Sequence, residues 1–404
     1  MLFRSALATA LIGAMLLFVG NSLRTMTGTA IRSVPLDWQG PVASQAQATR
    51  IAAGVAAQSG VLRAVPAATA PFAGAGHVAP AGLIRTGAGS VLAVPAGPAE
   101  TFRLLHGSLR PGQVVLDQQL AATLQAGIGD TITLMSRAGA RPRPYRVSGV
   151  ALVTAPDLLF QPLNPQLGPA PSQPPAQIAI MPLATFGQTY APSLRTITPV
   201  TVGSSAVPGA QDGVQWQVQA QIAPTELGSS PGEALRRAGQ VRNRVERTLT
   251  GQVQFVDNLS ESLSVAAGDA LYAQTLYIML AIPGALIALG LAYLAALGTA
   301  DRDRRDLGLL RARGATRRTL LGLAAVESAV LALLAGLLGA GLAFAATSWL
   351  VNGGVGLTSG RAILTVGTCV GVAFAGAMAA RIAAGASAFS ARSEERRVGK
   401  ECRL

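Results

Sequence analysis

Three stretches of this chain, roughly Leu271 to Leu297, Leu320 to Val351 and Ile363 to Ile382, run with almost no charge. Each reaches the roughly 20 residues that an α-helix needs to cross a hydrocarbon core about 30 Å thick. A fourth apolar run, Ala6 to Val19 behind Arg4, reaches that length with its flanks. Composition agrees: 50% of the 404 residues are hydrophobic, 13% are charged and the mean hydropathy is +0.42, outside the range of a soluble domain. The chain reads as a membrane protein. Its first helix is either an uncleaved anchor or a cleaved signal peptide. "TGTA" (Thr27 to Ala30) offers small residues of cleavage-site type, and the absence of a strong A-x-A favours the anchor.

The formal charge is +13, and nearly all of it is arginine, because the only lysine is Lys400. Abundant Ala, Gly, Arg and Pro suit a GC-rich bacterial genome. The segment "RSEERRVGKEC" (Arg392 to Cys402) does not read like the rest and resembles the in-frame translation of a common short-read sequencing adapter. Residues 392–404 are therefore set aside as a non-native tail, the alternative being a genuine basic cytoplasmic tail. Setting them aside removes five positive and three negative residues, so +11 remains. On this reading the natural protein continues past Ala391. One cysteine, Cys369, is left; it excludes an intramolecular disulfide framework and is expected to pack as a small hydrophobe.

From Arg24 to about Gly268 the chain turns polar, Pro-rich and Gly-rich, as a folded extramembrane domain does. Its most readable part is Gly112 to Val150. Val114 to Leu116 is predicted as a strand, and Asp117 caps a helix through Gln125 that Gly127 ends. Thr131 to Met135 and Tyr145 to Val150 follow as a hairpin. "PDLLFQPLNPQLGPAPSQPPAQ" (Pro156 to Gln177) is predicted to be an exposed loop. Strands follow at Ile178 to Met181 and Val214 to Ile222. A helix over Pro231 to Leu249 carries Arg236, Arg237, Arg242, Arg244 and Arg247, more in keeping with a solvated face than with an anionic partner.

Tyr272 and Tyr277, at the start of the second span, and Trp349, at the end of the third, suit one common interface. Between these spans "ADRDRRDLGLLRARGATRRTL" (Ala300 to Leu320) packs seven arginines, against one in the loop Asn352 to Arg361. The positive-inside bias places the arginine-rich loop in the cytoplasm and the large domain outside. A stop-transfer loop would need no further function, yet this one has internal order. Asp301, Asp303 and Asp306 precede Arg311 and Arg313, the arrangement that suits the dipole of a short helix. Leu307, Leu310 and Gly314 share one face at i, i+3 and i+7. Gly314 can end the helix and Thr316 can cap the next. A charged helix with a narrow apolar stripe is suited to docking against another protein.

The stretch from Arg302 through Gly339 resembles the signature of FtsX/MacB-type ABC transporter permeases, in which a helix after the second span carries R-x-E-[LI]-x-L-L-R-x-x-G-A-[ST]. Arg304, Asp306, Leu307, Leu309, Leu310, Arg311, Gly314, Ala315 and Thr316 occupy that pattern, with Asp306 in place of the commoner Glu. "VPLDWQGPV" (Val34 to Val42), "GDTITL" with "YRVSGV", and Asp269 to Ala288 look like the actinobacterial branch of the family. The resemblance implies a coupling helix seated in a cytoplasmic ABC ATPase subunit, which binds the ATP and Mg. It implies mechanotransmission to the outer domain, membrane lipid around the helices, a second permease half or a homodimer, and an extracytoplasmic protein partner. The implied place is the bacterial cell membrane, as a multi-pass protein. The implied role is export or extraction of a lipid, lipoprotein or peptide; the alternative is a non-transporting regulator that activates a cell-wall hydrolase or senses peptides.

The expected fold is an α-helical transmembrane bundle of about four helices, with a large mixed α/β extracytoplasmic domain between helix 1 and helix 2. Its expected segments are helix 1 at 1–23, the outer domain at 24–268, helix 2 at 269–298, the coupling segment at 299–318, helix 3 at 319–351, an outer loop at 352–362, helix 4 at 363–382 and a cytoplasmic start at 383–391. Glu327, about two turns into helix 3, sits where a carboxylate needs a function or a partner, and pairing with Arg317, Arg318 or another helix is the favoured reading. Pro283 and Gly284 are expected to kink helix 2 and are a candidate hinge. Ala332, Gly336 and Ala340 at four-residue spacing allow close helix approach, and "GAG" at Gly339 to Gly341 reads as packing. His77 and His106 lack neighbours at ligand spacing, so no metal or catalytic role is expected. No catalytic motif and no lysine-bearing phosphate loop occurs, so no cofactor is expected on this chain and no nucleic-acid partner is implied.

Overall fold

The computed structural model describes residues 2–97, 101–170, 172–194, 201–202, 205–206, 213–312, 317–350, 360 and 362–379. The chain divides into two compact units, one of Met26–Gly268 and one of Met1–Thr25 with the residues from Asp269 onward.

The outer unit is a mixed sheet with helices packed on it. After helix α1 (Leu2–Arg32) come β1 (Trp38–Pro41), α2 (Gln45–Ala56), β2 (Val61–Phe72), β3 (Gly74–Ala79), β4 (Gly82–Arg85), β5 (Gly89–Val94), β6 (Phe102–Gly107), β7 (Gln113–Asp117) and α3 (Gln118–Leu124). Then follow β8 (Thr131–Met135), β9 (Arg143–Val153), α4 (Pro156–Leu159), β10 (Ile178–Pro182), α5 (Leu183–Thr185), the two-residue strands β11 (Thr201–Val202) and β12 (Ser205–Ala206), β13 (Gln215–Ile222), α6 (Pro231–Thr248) and β14 (Val256–Asp257). The sheet order is β14-β1-β13-β2-β5-β10-β7-β9-β8-β3-β4, with β6 also on β9. Its pairs are antiparallel except β5 with β10 and β7 with β9.

Local chemistry explains these elements. The Ser44 hydroxyl accepts from Gln47 N–H at 3.2 Å while the Gln47 side-chain Oε1 accepts from Ala43 N–H at 3.1 Å, a reciprocal cap at the start of α2. Ala48, Ile51, Ala52 and Val55 are then buried at helical spacing. In α6 the buried face is Ala234, Ala238, Val241 and Val245, and Arg237 pairs with Glu233 at 2.6 Å on the outside. β2 carries Pro66 and Pro71 although it lies inside the sheet. Residues 61–69 of β2 pair with β13 and residues 68–72 pair with β5. Each proline therefore stands where only one neighbour pairs, so its missing N–H has an unpaired side to face.

Two expectations are corrected within this unit. Helix α3 is capped by Asp117, which accepts from Gln119 N–H at 3.2 Å, but its left-handed end is Gln125 (φ 52°), not Gly127. Gly127 donates instead to the Asp130 carboxylate at 2.8 Å. The proline-rich stretch from Pro156 begins with the short helix α4 and carries a buried Gln161.

The other unit is helical: α1 with α7 (Leu259–Ala312), α8 (Arg317–Leu350) and α9 (Ala362–Ala379). Among the described residues, four helical segments are long and apolar enough to cross a membrane: Ala6–Arg32, Leu259–Gly284, Ala325–Trp349 and Ala362–Ala379.

Candidate coupling site

Among its described residues, the arginine-rich segment forms no separate helix. Residues 301–312 are the end of α7, which runs without interruption from Leu259. Between Asp269 and Ala312 alanine and leucine dominate, and these favour continuation. Asp301, Asp303 and Asp306 thus lie near the C-terminal end of a long helix rather than at the N-terminus of a short one, and the dipole argument for them fails; Arg311 near that end does suit the dipole. Arg304, Asp306, Leu307, Leu310 and Arg311 stand on the backbone of α7. Gly314, Ala315 and Thr316, with the turn and cap expected of them, lie outside the described residues.

Pro283 lies inside α7, exposed, with Gly284 half-buried beside it, and the helix continues beyond both. A Cβ built on Gly284 would come 4.0 Å from Leu11 of α1. Phe18 of α1 meets Tyr277 of α7 edge to face at 5.6 Å. Glu327 is exposed on α8, on the side that carries exposed Leu323, Val326, Val330 and Leu334.

The opposite side of α8 is built from small residues. Ala332, Ala335, Ala340 and Ala343 are buried, and Ala332 and Ala335 form a core cluster with Ala6 of α1 and Ala373 of α9. At Gly336 an added Cβ would lie 2.7 Å from the Cα and 2.8 Å from the N of Val370, so α9 approaches α8 where no side chain intervenes. Gly339 takes the same part against α1, where a Cβ would meet the Ala6 carbonyl at 2.9 Å and Ala10 N at 3.0 Å. Gly341 has open space around it, so only one glycine of "GAG" serves packing. The Thr9 hydroxyl, shared with the Ala6 carbonyl, also donates to the Ala335 carbonyl of α8 at 3.2 Å, and the buried Cys369 thiol donates to the Thr9 carbonyl at 3.4 Å. Cys369 is a packing residue with one weak polar contact.

The N-terminal end of α7 is held within the outer unit by residues not singled out from the sequence. Asp257, on β14, accepts from Leu259 N–H at 3.1 Å and Ser260 N–H at 3.0 Å and pairs with Arg242 of α6 at 2.9 Å. Through β14 and β1, Trp38 is registered against Asp257. The Asn258 backbone N–H donates to the Asp37 carbonyl at 2.9 Å, and the Ser262 hydroxyl donates to the Ala30 carbonyl of α1 at 3.0 Å. The last turn of α1 and the first turns of α7 are thereby tied together. A buried amide cluster backs this junction: Gln161 Nε2 donates to Gln39 Oε1 at 2.7 Å and to Asn258 Oδ1 at 2.8 Å, and Gln39 Nε2 donates to Gln217 Oε1 at 3.0 Å. "VDNLS" ahead of an apolar helix is the capping signal that could have flagged Asp257. Nothing local marks Gln161, whose partners are 97 and 122 residues away in sequence.

Asp257→Ala removes the cap and leaves Arg242 without its carboxylate. The expected loss is about 3 kcal/mol of outer-domain stability, and Asp257→Asn, which keeps an acceptor, is expected to lose less. Denaturant unfolding of the full-length protein followed by tryptophan fluorescence checks this.

His77, read from the sequence as isolated from acidic neighbours, is brought by the fold to 3.8 Å from the Asp130 carboxylate, while its Nδ1 lies 3.0 Å from the Leu124 carbonyl. These contacts make it a tie between β3 and α3. Among the described residues no group of three or more His, Cys, Asp or Glu side chains could hold a metal ion. Burial pushes the phenols of Tyr145 and Tyr190 above the usual tyrosine range; Tyr190 donates to the Pro71 carbonyl at 2.8 Å, and both are core residues.

Comparison with known families divides the chain in two. Residues 5–226, more than half of it, match the model of the MacB-like periplasmic core domain, and residues 277–395 match that of the FtsX-like permease C-terminal region. The second match extends into the first four residues of the tail set aside above. No curated protein matches the chain.

Proposed function

The chain belongs to the FtsX/MacB-type ABC transporter permeases, multi-pass cell-membrane proteins with a large extracytoplasmic domain and a separate cytoplasmic ABC ATPase, and we propose that it receives the ATPase's motion through residues 304–316 and passes it to the outer domain. The observation that carries this reading is the single helix α7. It begins on the Asp257 cap in the outer sheet and ends at Ala312 within the arginine-rich segment. A continuous helix transmits displacement along its axis, because each added turn is fixed by its own backbone hydrogen bonds. The stripe at Leu307 and Leu310 seats in a groove of the ATPase, and the neighbouring arginines hold the segment on the cytoplasmic side.

The work done at the outer end is export or extraction of a lipid, lipoprotein or peptide. Pro283 and Gly284 are the hinge at which α7 bends during the cycle.

The sidedness is tested by thiol labelling of intact cells, in a background lacking Cys369 and Cys402. Cysteine at Arg305 is expected to resist a membrane-impermeant maleimide until the cells are permeabilised, whereas cysteine at the exposed Leu62 reacts at once. Labelling of position 305 from outside would overturn the coupling reading. ATP turnover that moves the outer domain without releasing a lipid, lipoprotein or peptide would replace transport by regulation.

A further inference from the structure

The root of α7 reaches a distant loop through two buried side-chain amides. Asn258, just ahead of the helix, is 4% exposed, and Gln161, just past α4, is 1% exposed. Asn258 Nδ2 donates to the Leu36 carbonyl at 3.2 Å and to Gln39 Oε1 at 3.0 Å, which ties this amide to β1 and the residues before it. Asn258 Oδ1 accepts from Gln161 Nε2 at 2.8 Å, and the same nitrogen also donates to Gln39 Oε1. On the other side of that amide, Gln161 Oε1 accepts from Ala170 N–H at 2.9 Å.

That last bond closes a short strap. Leu163, fully buried, anchors its first end. Its tip is a local turn: Asn164 Oδ1 accepts from Gln166 N–H at 3.0 Å, the Asn164 carbonyl accepts from Leu167 N–H and Gly168 N–H, each at 3.1 Å, and Gly168 is left-handed (φ 76°). Pro165 and Pro169 fix φ on either side of the turn, and Leu167 stands exposed at its end. The tip is held by its own bonds and moves as one piece, whereas its second end depends on how the Gln161 amide is turned. An amide is planar, so its donors and its acceptor turn together. A shift of Asn258 Oδ1 therefore rotates the Gln161 amide and draws Oε1 away from Ala170.

Release at this point disturbs little else in the cluster. Without Gln161, Gln39 Oε1 keeps its bond from Asn258 and Gln39 Nε2 keeps its bond to Gln217. Ala170 is exposed, so its N–H passes to water. Asn258 Oδ1 is the acceptor that loses a partner. Hydrogen bonds in a buried network are directional, so such a contact is made or broken in a step where apolar packing would give way gradually. We propose that residues 164–170 form a strap controlled from the root of α7, closed while the Gln161 amide bridges Asn258 and Ala170 and opened when α7 draws Asn258 away. The opening rests on the coupling reading, whereas the bridge stands on the outer unit alone.

Hydrogen exchange read by mass spectrometry on the full-length protein in nanodiscs tests both parts. Without the ATPase, Asn258→Ala is expected to speed exchange in the peptide that covers Ala170 by about fivefold to tenfold, the loss of one hydrogen bond, while β7 keeps its rate. Gln161→Met, which keeps the length and removes the amide, is expected to do the same, and it carries the test if Asn258→Ala does not fold. Unchanged exchange at Ala170, or an equal rise in β7, overturns the bridge. With the ATPase turning over ATP, the strap of the native chain is expected to exchange faster together with residues 259–263 of α7. A response in 259–263 beside a strap that stays protected overturns the opening. If neither segment responds while the variants still loosen the strap selectively, the coupling reading falls and the opening with it, and the bridge is upheld.

Discussion

Gly336→Val is expected to loosen the membrane helices, costing about 3 kcal/mol in SDS or thermal unfolding of the detergent-solubilised protein, at the upper end of what overpacking usually costs. The reason is geometric. A Cβ at this position would stand 2.6 Å from Val370 Cγ2 and under 3 Å from two backbone atoms of the same residue. A side chain can rotate away, but the backbone of α9 can yield only by moving the helix. Gly341→Ala supplies the control on the same helix, because nothing lies within 4 Å of its added methyl. There the better helix propensity of alanine is expected to dominate, for a gain of up to about 1 kcal/mol. Equal behaviour of the two variants would mean that α8 and α9 are not in contact at Gly336.

What could be read in the sequence was what local chemistry determines. Asp117 ahead of a helical pattern, the alternation through Thr131 to Met135 and the arginine-rich face of α6 each depend on neighbours a few residues apart, and each is present in the fold. The spacing of Ala332, Gly336 and Ala340 pointed to close packing, and α9 supplies the partner. Other features depend on residues far away in the chain. β2 holds two prolines inside a sheet, which only the staggered registers of β13 and β5 permit. The amide cluster joins Gln39, Gln161, Gln217 and Asn258 from four separate segments, and no periodicity reveals it. The long helix misled in another way. The charge pattern of Asp301 to Arg313 suits a short helix, yet with no strong breaker after Pro283 the backbone carries α7 through to Ala312.

The most direct measurement of the account is co-purification and ATP turnover of the permease with its ATPase, comparing the native chain with Leu310→Asp. A carboxylate pushed into an apolar groove forfeits the burial of the leucine and adds the cost of desolvating a charge, so the affinity is expected to fall by about a hundredfold. The ATPase should then be lost from the purified complex and the permease-dependent change in its turnover should disappear. Ile128→Asp, at an exposed position in the outer unit, should leave both unchanged. An ATPase recovered in full with the Leu310→Asp protein, turning over at the native rate, would contradict entry of force through the end of α7.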